Sequence, residues 1–73
     1  MEIRRAFALN LKRRRRELKL SQEELAHRAD VDRTYISALE RGVYSATIDM
    51  VDRLATVLDV EAFELLQRPR EKR

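Results

Sequence analysis

Cysteine is absent from this 73-residue chain, so neither a disulfide framework nor a thiolate metal site can supplement its core. Glycine and proline occur once each, as Gly42 and Pro69, and no segment alternates strictly between apolar and polar residues. That pattern argues against strands and predicts an all-helical fold. No apolar run is long enough to span a bilayer and no signal-peptide core opens the sequence, so a soluble, cytoplasmic protein is expected. His27 is the sole histidine. Two ligands short of any plausible zinc site, it reads as a surface residue. Acidic residues are plentiful but scattered, with no nucleophile–base pair and no glycine-rich phosphate loop. No metal, no cofactor and no catalysis is expected.

What is present is charge, unevenly placed. Lys and Arg number 16 against 13 Asp and Glu, a net charge of only +3. Yet residues 1–19 hold Arg4, Arg5, Lys12, Arg13, Arg14, Arg15, Arg16 and Lys19 against Glu2 and Glu17. A basic face of this kind suits a polyanion such as nucleic acid, or is simply a solvated helix face. Adsorption to an anionic membrane is the weaker alternative, because the apolar face lacks Trp and is needed to close the core. One domain of this size sits near the lower limit for folding on a single core, so efficient helix packing or oligomerisation is required.

The most informative stretch is LSQEELAHRADVDRTYISALERG, residues 20–42. Ser21 and Glu24 have the spacing of a capping box, in which each side chain satisfies the other's backbone N–H. Leu25, Ala26 and Ala29 then fall on one face of a helix over about residues 22–29. The chain breaks at Asp30-Val31, and Asp32 is placed to cap a second helix over 33–41 carrying Tyr35, Ile36 and Leu39. Gly42 stands where such a helix ends in a left-handed residue. Helices this short need support from elsewhere. What remains outward is the start of the second one, with Arg33, Thr34 and Ser37. That is the geometry of a helix-turn-helix reader of DNA.

The rest of the chain supplies the support. A first helix is expected over about residues 2–18, burying Ile3, Phe7, Leu11 and Leu18, with Lys19 and Leu20 forming the corner. Val43 to Ala46 form a loop and Thr47 caps a fourth helix, with Asp49 in its first turn. Ile48, Val51, Leu54, Ala55 and Leu58 repeat at helical spacing, so that helix should face the core over its whole length. After a turn at Asp59-Val60, residues 61–67 form a fifth helix. Phe63 and Leu66 are expected to cover the core and Ala62 and Leu65 to stay partly open. The organisation is then one domain over residues 1–68 and a basic tail over 69–73, begun by the helix-stopping Pro69.

LSQEELA, then RTYISALERG, then the amphipathic TIDMVDRLATVLDV resemble the Xre-type, Cro-like helix-turn-helix superfamily of phage and bacterial repressors. The similarity covers roughly residues 5–67, and the short RTYIS…ERG segment also resembles the controller proteins of restriction–modification systems. The resemblance implies a compact bundle of five short helices whose third enters the major groove. It places Arg33, Thr34, Ser37 and Ala38 at base-contacting positions, with Tyr35 against the backbone or a thymine methyl. It makes Gln22 a phosphate contact that also braces the recognition helix, and residues Arg41, Val43 and Tyr44 part of a phosphate-clamping loop. Arg15 and Glu40 match a family pair that forms an interior ion pair. The chain departs from the family pattern at Lys19, Asp30 and Asp59, where glycine is common, and at Ala46, where proline is frequent. Asp tolerates a left-handed conformation better than most residues, so the corner should survive with some strain. Lys19 has no such advantage.

Each contact has a plain alternative. Arg33 can take O6 and N7 of a guanine, or pair with Asp30 or Asp32, or bind phosphate alone. Thr34 and Ser37 are short donors for bases or phosphate, or merely solvent-facing. Tyr35 serves DNA contact or packing, and Gln22 phosphate binding or simple helix opening. One helix-turn-helix reads few base pairs, so a homodimer on a palindromic double-stranded operator is expected, joined through Val60, Ala62 and Leu65. The rival reading is a protein-interaction module, such as an antitoxin, built on the same fold.

Overall fold

In the computed structural model, which describes residues 1–69, five helices follow one another: α1 (Ile3–Glu17), α2 (Gln22–Ala29), α3 (Arg33–Glu40), α4 (Ile48–Val57) and α5 (Ala62–Leu66). The expected tail residues Arg70 to Arg73 lie outside the described residues. Four helices start on side-chain caps, α5 through the Glu64 carboxylate, which accepts from the Glu61 N–H at 2.9 Å. Glu2 accepts from the Arg5 N–H at 3.3 Å and Thr47 from the Met50 N–H at 3.0 Å. Ser21 and Glu24 close the capping box, with bonds of 2.9 and 3.0 Å. The Ser21 N–H and hydroxyl hold the Glu24 carboxyl below the usual carboxylate range. A lowered folded-state pKa means this support is present at neutral pH and is lost as pH falls through it. Asp32 departs from expectation. It occupies the cap position of α3, but its side chain makes no capping bond.

Four helices end in one way. Lys19, Asp30 and Asp59 all have φ of 59°, and Gly42 has 72°. Each left-handed residue folds the chain back so that the next N–H reaches a carbonyl five residues earlier: Leu20 to Arg15 at 3.1 Å, Val31 to Ala26 at 2.9 Å, Val43 to Ala38 at 3.0 Å and Val60 to Ala55 at 3.0 Å. This is the Schellman stop, in which an apolar residue follows the left-handed one. Leu20 is buried, and Val31 and Val60 pack against the core. At Lys19 the conformation costs about 1–2 kcal/mol, while glycine would add about 0.5–1 kcal/mol of unfolded-state entropy. Lys19→Gly is therefore expected to stabilise the fold by about 0.5–1 kcal/mol, raising the urea midpoint. A midpoint unchanged or lowered would mean that the surroundings, not the backbone, set the energy there.

Leu11, Leu25, Ile36, Leu39, Leu54, Leu58 and Leu65 are fully buried and join all five helices in one core. Several apolar residues sit differently from expectation. Ile3 and Leu18 flank the ends of α1 and are exposed, and Ile48, in the first turn of α4, is 85% exposed. Core contact along α4 begins at the half-buried Met50, and Val51 is its first buried side chain. The fifth helix has the opposite phase. Leu65 is 1% exposed, whereas Phe63 is 67% exposed and Leu66 also faces outward. A helix packed against both α1 and α4 presents one narrow stripe to them, and Phe63 lies about 200° round from Leu65.

Polar side chains tie the helix ends together. Asn10, buried on α1, donates to the carbonyls of Leu65 at 3.0 Å and Gln67 at 2.7 Å, fixing the end of α5. Arg14 donates to Leu58 O at 2.9 Å and Arg53 to Ala29 O at 3.3 Å. Each satisfies carbonyls that a helix C-terminus leaves without partners. Among the described residues no buried side-chain N or O atom lacks a partner, and no helix is long and apolar enough to cross a membrane.

Candidate nucleic-acid interface

The corner at residues 30–32 sets α2 against α3 and leaves the start of α3 open. Arg33 and Thr34 are exposed there, and Ser37 is half-buried one turn on. Because Asp32 does not cap, the first N–H groups of α3 lack a side-chain acceptor. Such a terminus favours an anion. Arg33 pairs with neither Asp30 nor Asp32. Its Nη1 donates instead to the Gln22 side-chain oxygen at 3.3 Å.

That bond is the outer end of a chain of contacts from the interior. Arg15 donates to Glu40 through Nε at 2.6 Å and Nη2 at 2.9 Å, and through Nη1 to Leu20 O at 2.8 Å. The two side chains are 10% and 3% exposed. The Glu40 hydrogen bond, opposed by burial and aided by the carboxylate charge, raises the Arg15 pKa above its ordinary value. Gln22 Nε2 then donates to Glu40 Oε1 at 3.1 Å. With its amino group held by a carboxylate, the Gln22 carbonyl must point outward, where Arg33 meets it. The expected ion pair is present, and Gln22 links it to the first residue of α3.

The fold itself uses the first backbone N–H groups of the loop beyond α3. The N–H groups of Arg41, Gly42 and Val43 donate to Ser37, Leu39 and Ala38 at 3.0, 3.1 and 3.0 Å. A phosphate here is left with the exposed side chains of Arg41 and Tyr44. Val43 has only an exposed apolar side chain to offer. Tyr35 is half-buried, its ring 6.3 Å from that of Tyr44 and inclined by 38°. Packing and an exposed edge are thus combined in one residue. Ala38 is 5% exposed, and its carbonyl is taken by the Val43 N–H. It has almost no surface to give to a base.

At the turn into α5, Val60 and Ala62 are half-buried, but Leu65 is committed to the core and cannot form an interface. Asn10 was missed by sequence reasoning. The signal was a polar residue at the register of Phe7 and Leu11 on α1. His27 is exposed, and no group of metal-binding side chains occurs among the described residues.

Residues 11–65 match the family model described as HTH_3, helix-turn-helix. A hypothetical transcription factor of Neisseria meningitidis is 37% identical over 71 residues, 97% of this chain and 67% of that protein. The crystal structure of the restriction–modification controller protein C.AhdI of Aeromonas hydrophila superposes with a TM-score of 0.81 at 37% identity, covering 85% of this chain and 94% of that one. The biofilm regulator SinR, crystallised in complex with DNA, gives a TM-score of 0.79 at 32% identity over 84% and 98% of the two chains. With the corner, the open recognition helix and its interior brace in place, the chain belongs to the HTH_3 helix-turn-helix family and is a DNA-binding regulator, not an enzyme.

Proposed function

We propose that the protein regulates transcription as a homodimer that reads a palindromic operator in cytoplasmic double-stranded DNA. The observation that carries this reading is the placement of Arg33. It stands exposed at the uncapped start of α3, held by a neutral amide and not by a carboxylate. A weak exposed bond of this kind orients the guanidinium without satisfying its charge. Arg33, Thr34 and Ser37 read base edges. Gln22, Tyr35, Arg41 and Tyr44 contact the sugar–phosphate backbone, which positions the reader without specifying sequence.

Dimerisation supplies the second half-site. Phe63 and Leu66 expose apolar surface on α5, beside half-buried Val60 and Ala62. They take the place that Leu65 cannot fill. That C.AhdI is a controller protein and SinR was crystallised with DNA supports the same reading here. Selection of bound duplexes from a random pool tests it. The expected product is two inverted copies of a short element, centred roughly 34 Å apart, bound by a dimer in sedimentation. Enrichment of a lone element, or no enrichment at all, would overturn the reading.

A further inference from the structure

Helix α1 carries more charge than the fold uses. Glu17 lies 4.0 Å from Arg13 and 3.3 Å from Arg14, and Arg14 also holds the Leu58 carbonyl. Arg15 belongs to Glu40. Among the described residues no carboxylate forms an ion pair with Arg5, Lys12 or Arg16. Those three are separated by seven and four positions. At 100° per residue they fall within about 40° of one another, forming one stripe along the helix. The only apolar residue on the stripe is Leu9.

The stripe is not on a remote surface. Arg5 and Lys12, with the apolar Met1, Ala8 and Leu9 between and beside them, line a shallow groove that they share with Glu40, Arg41 and Gly42. Glu40 contributes little negative field there, being bound to Arg15 and 3% exposed in its side chain. The groove therefore joins Arg5 and Lys12 to Arg41, the first side chain of the loop after the recognition helix, and Arg16 follows one turn beyond Lys12 on the same stripe. From Arg5 to Arg16 the stripe runs roughly 16 Å, a length of duplex axis over which one strand carries about five phosphates. A line of three cations without an ion-paired carboxylate, continuous with a DNA-reading helix, fits a phosphate backbone better than a protein surface, whose interface core would be depleted in charge.

We infer that Arg5, Lys12 and Arg16 form a second, sequence-independent phosphate track that extends the recognition surface along the duplex through Arg41. The inference rests on the DNA-binding reading. The track adds affinity and salt dependence, while discrimination stays with α3. Each phosphate contact contributes about 0.9 to the slope of log K against log salt.

The test compares the wild type with the Arg5→Ala/Lys12→Ala/Arg16→Ala variant on the selected operator and on a random duplex. The slope is expected to fall by roughly 2–3 on both, leaving the ratio of the two affinities unchanged. An unchanged slope overturns the track, as does a loss confined to the operator. If the triple variant fails to fold, Lys12→Gln/Arg16→Gln replaces it, with an expected loss of about 1.8 and the same overturning results. Failure of the DNA reading looks different, because the wild type itself would then show neither operator preference nor a salt slope.

Discussion

Arg15→Ala is expected to unfold most of the protein at room temperature, although the residue sits on the basic helix and invites reading as a DNA contact. The substitution leaves the Glu40 carboxylate, 3% exposed, with only the Gln22 amide as partner, and strips the Leu20 carbonyl of its donor. Removing one member of a buried ion pair costs about 3–5 kcal/mol, because the survivor keeps its desolvation penalty. A core of this size supplies roughly 3–5 kcal/mol in total. The loss therefore matches the whole stability. Circular dichroism should show lost helix at neutral pH, with the melting midpoint down by about 4–8 °C for each kcal/mol. Arg15 itself does not titrate in ordinary buffers. A guanidinium whose folded-state pKa is raised contributes its stability fully below the unfolded value and loses it only in strong alkali.

A second substitution separates the charge from the packing. Arg15→Met/Glu40→Leu removes both ions together and should recover most of the lost stability, since apolar replacement of a buried pair is often neutral or better. It should not recover DNA binding in full, because Gln22 loses the carboxylate that turns its carbonyl toward Arg33. An Arg15→Ala protein that melts within a few degrees of the wild type would show that the pair carries little of the fold.

What was legible beforehand follows a physical division between local and distant causes. The Ser21–Glu24 box and the Thr47 cap are settled within four residues, so their helices start where the sequence indicates. The left-handed stops were harder to read, because Lys19 is a poor residue for that conformation. Its buried successor Leu20 and the bond to the Arg15 carbonyl hold it there regardless. The phase of α5 could not be read from five residues, AFELL, in which apolar side chains face nearly every direction. Contacts from Asn10, fifty-five positions away in sequence, help decide it. The Arg15–Glu40 pair was carried by family resemblance, since nothing local to either residue requires the other.

Arg33→Ala should spare the fold and remove discrimination. The side chain is exposed and its one bond, 3.3 Å to the Gln22 amide, is long, so the melting midpoint should stay within about 0.5 kcal/mol of the wild type in stability. Operator affinity is a different matter. A bidentate arginine–guanine contact is worth about 1–3 kcal/mol, or roughly 5- to 150-fold, and that loss should appear on the operator but not on a random duplex. Selection repeated with the variant should relax at one base pair in each half-site. Arg33→Lys should not restore it, because a single ammonium cannot occupy both acceptors of the guanine edge. Equal losses on operator and random DNA would instead make Arg33 a phosphate contact. Unaltered binding to both would move recognition away from α3 and favour a fold used for protein pairing. The discriminating power of the experiment comes from the structure itself. Gln22 is anchored to Glu40 and Arg33 rests on Gln22, so Arg33 is the outermost link and can be removed without disturbing the interior ones.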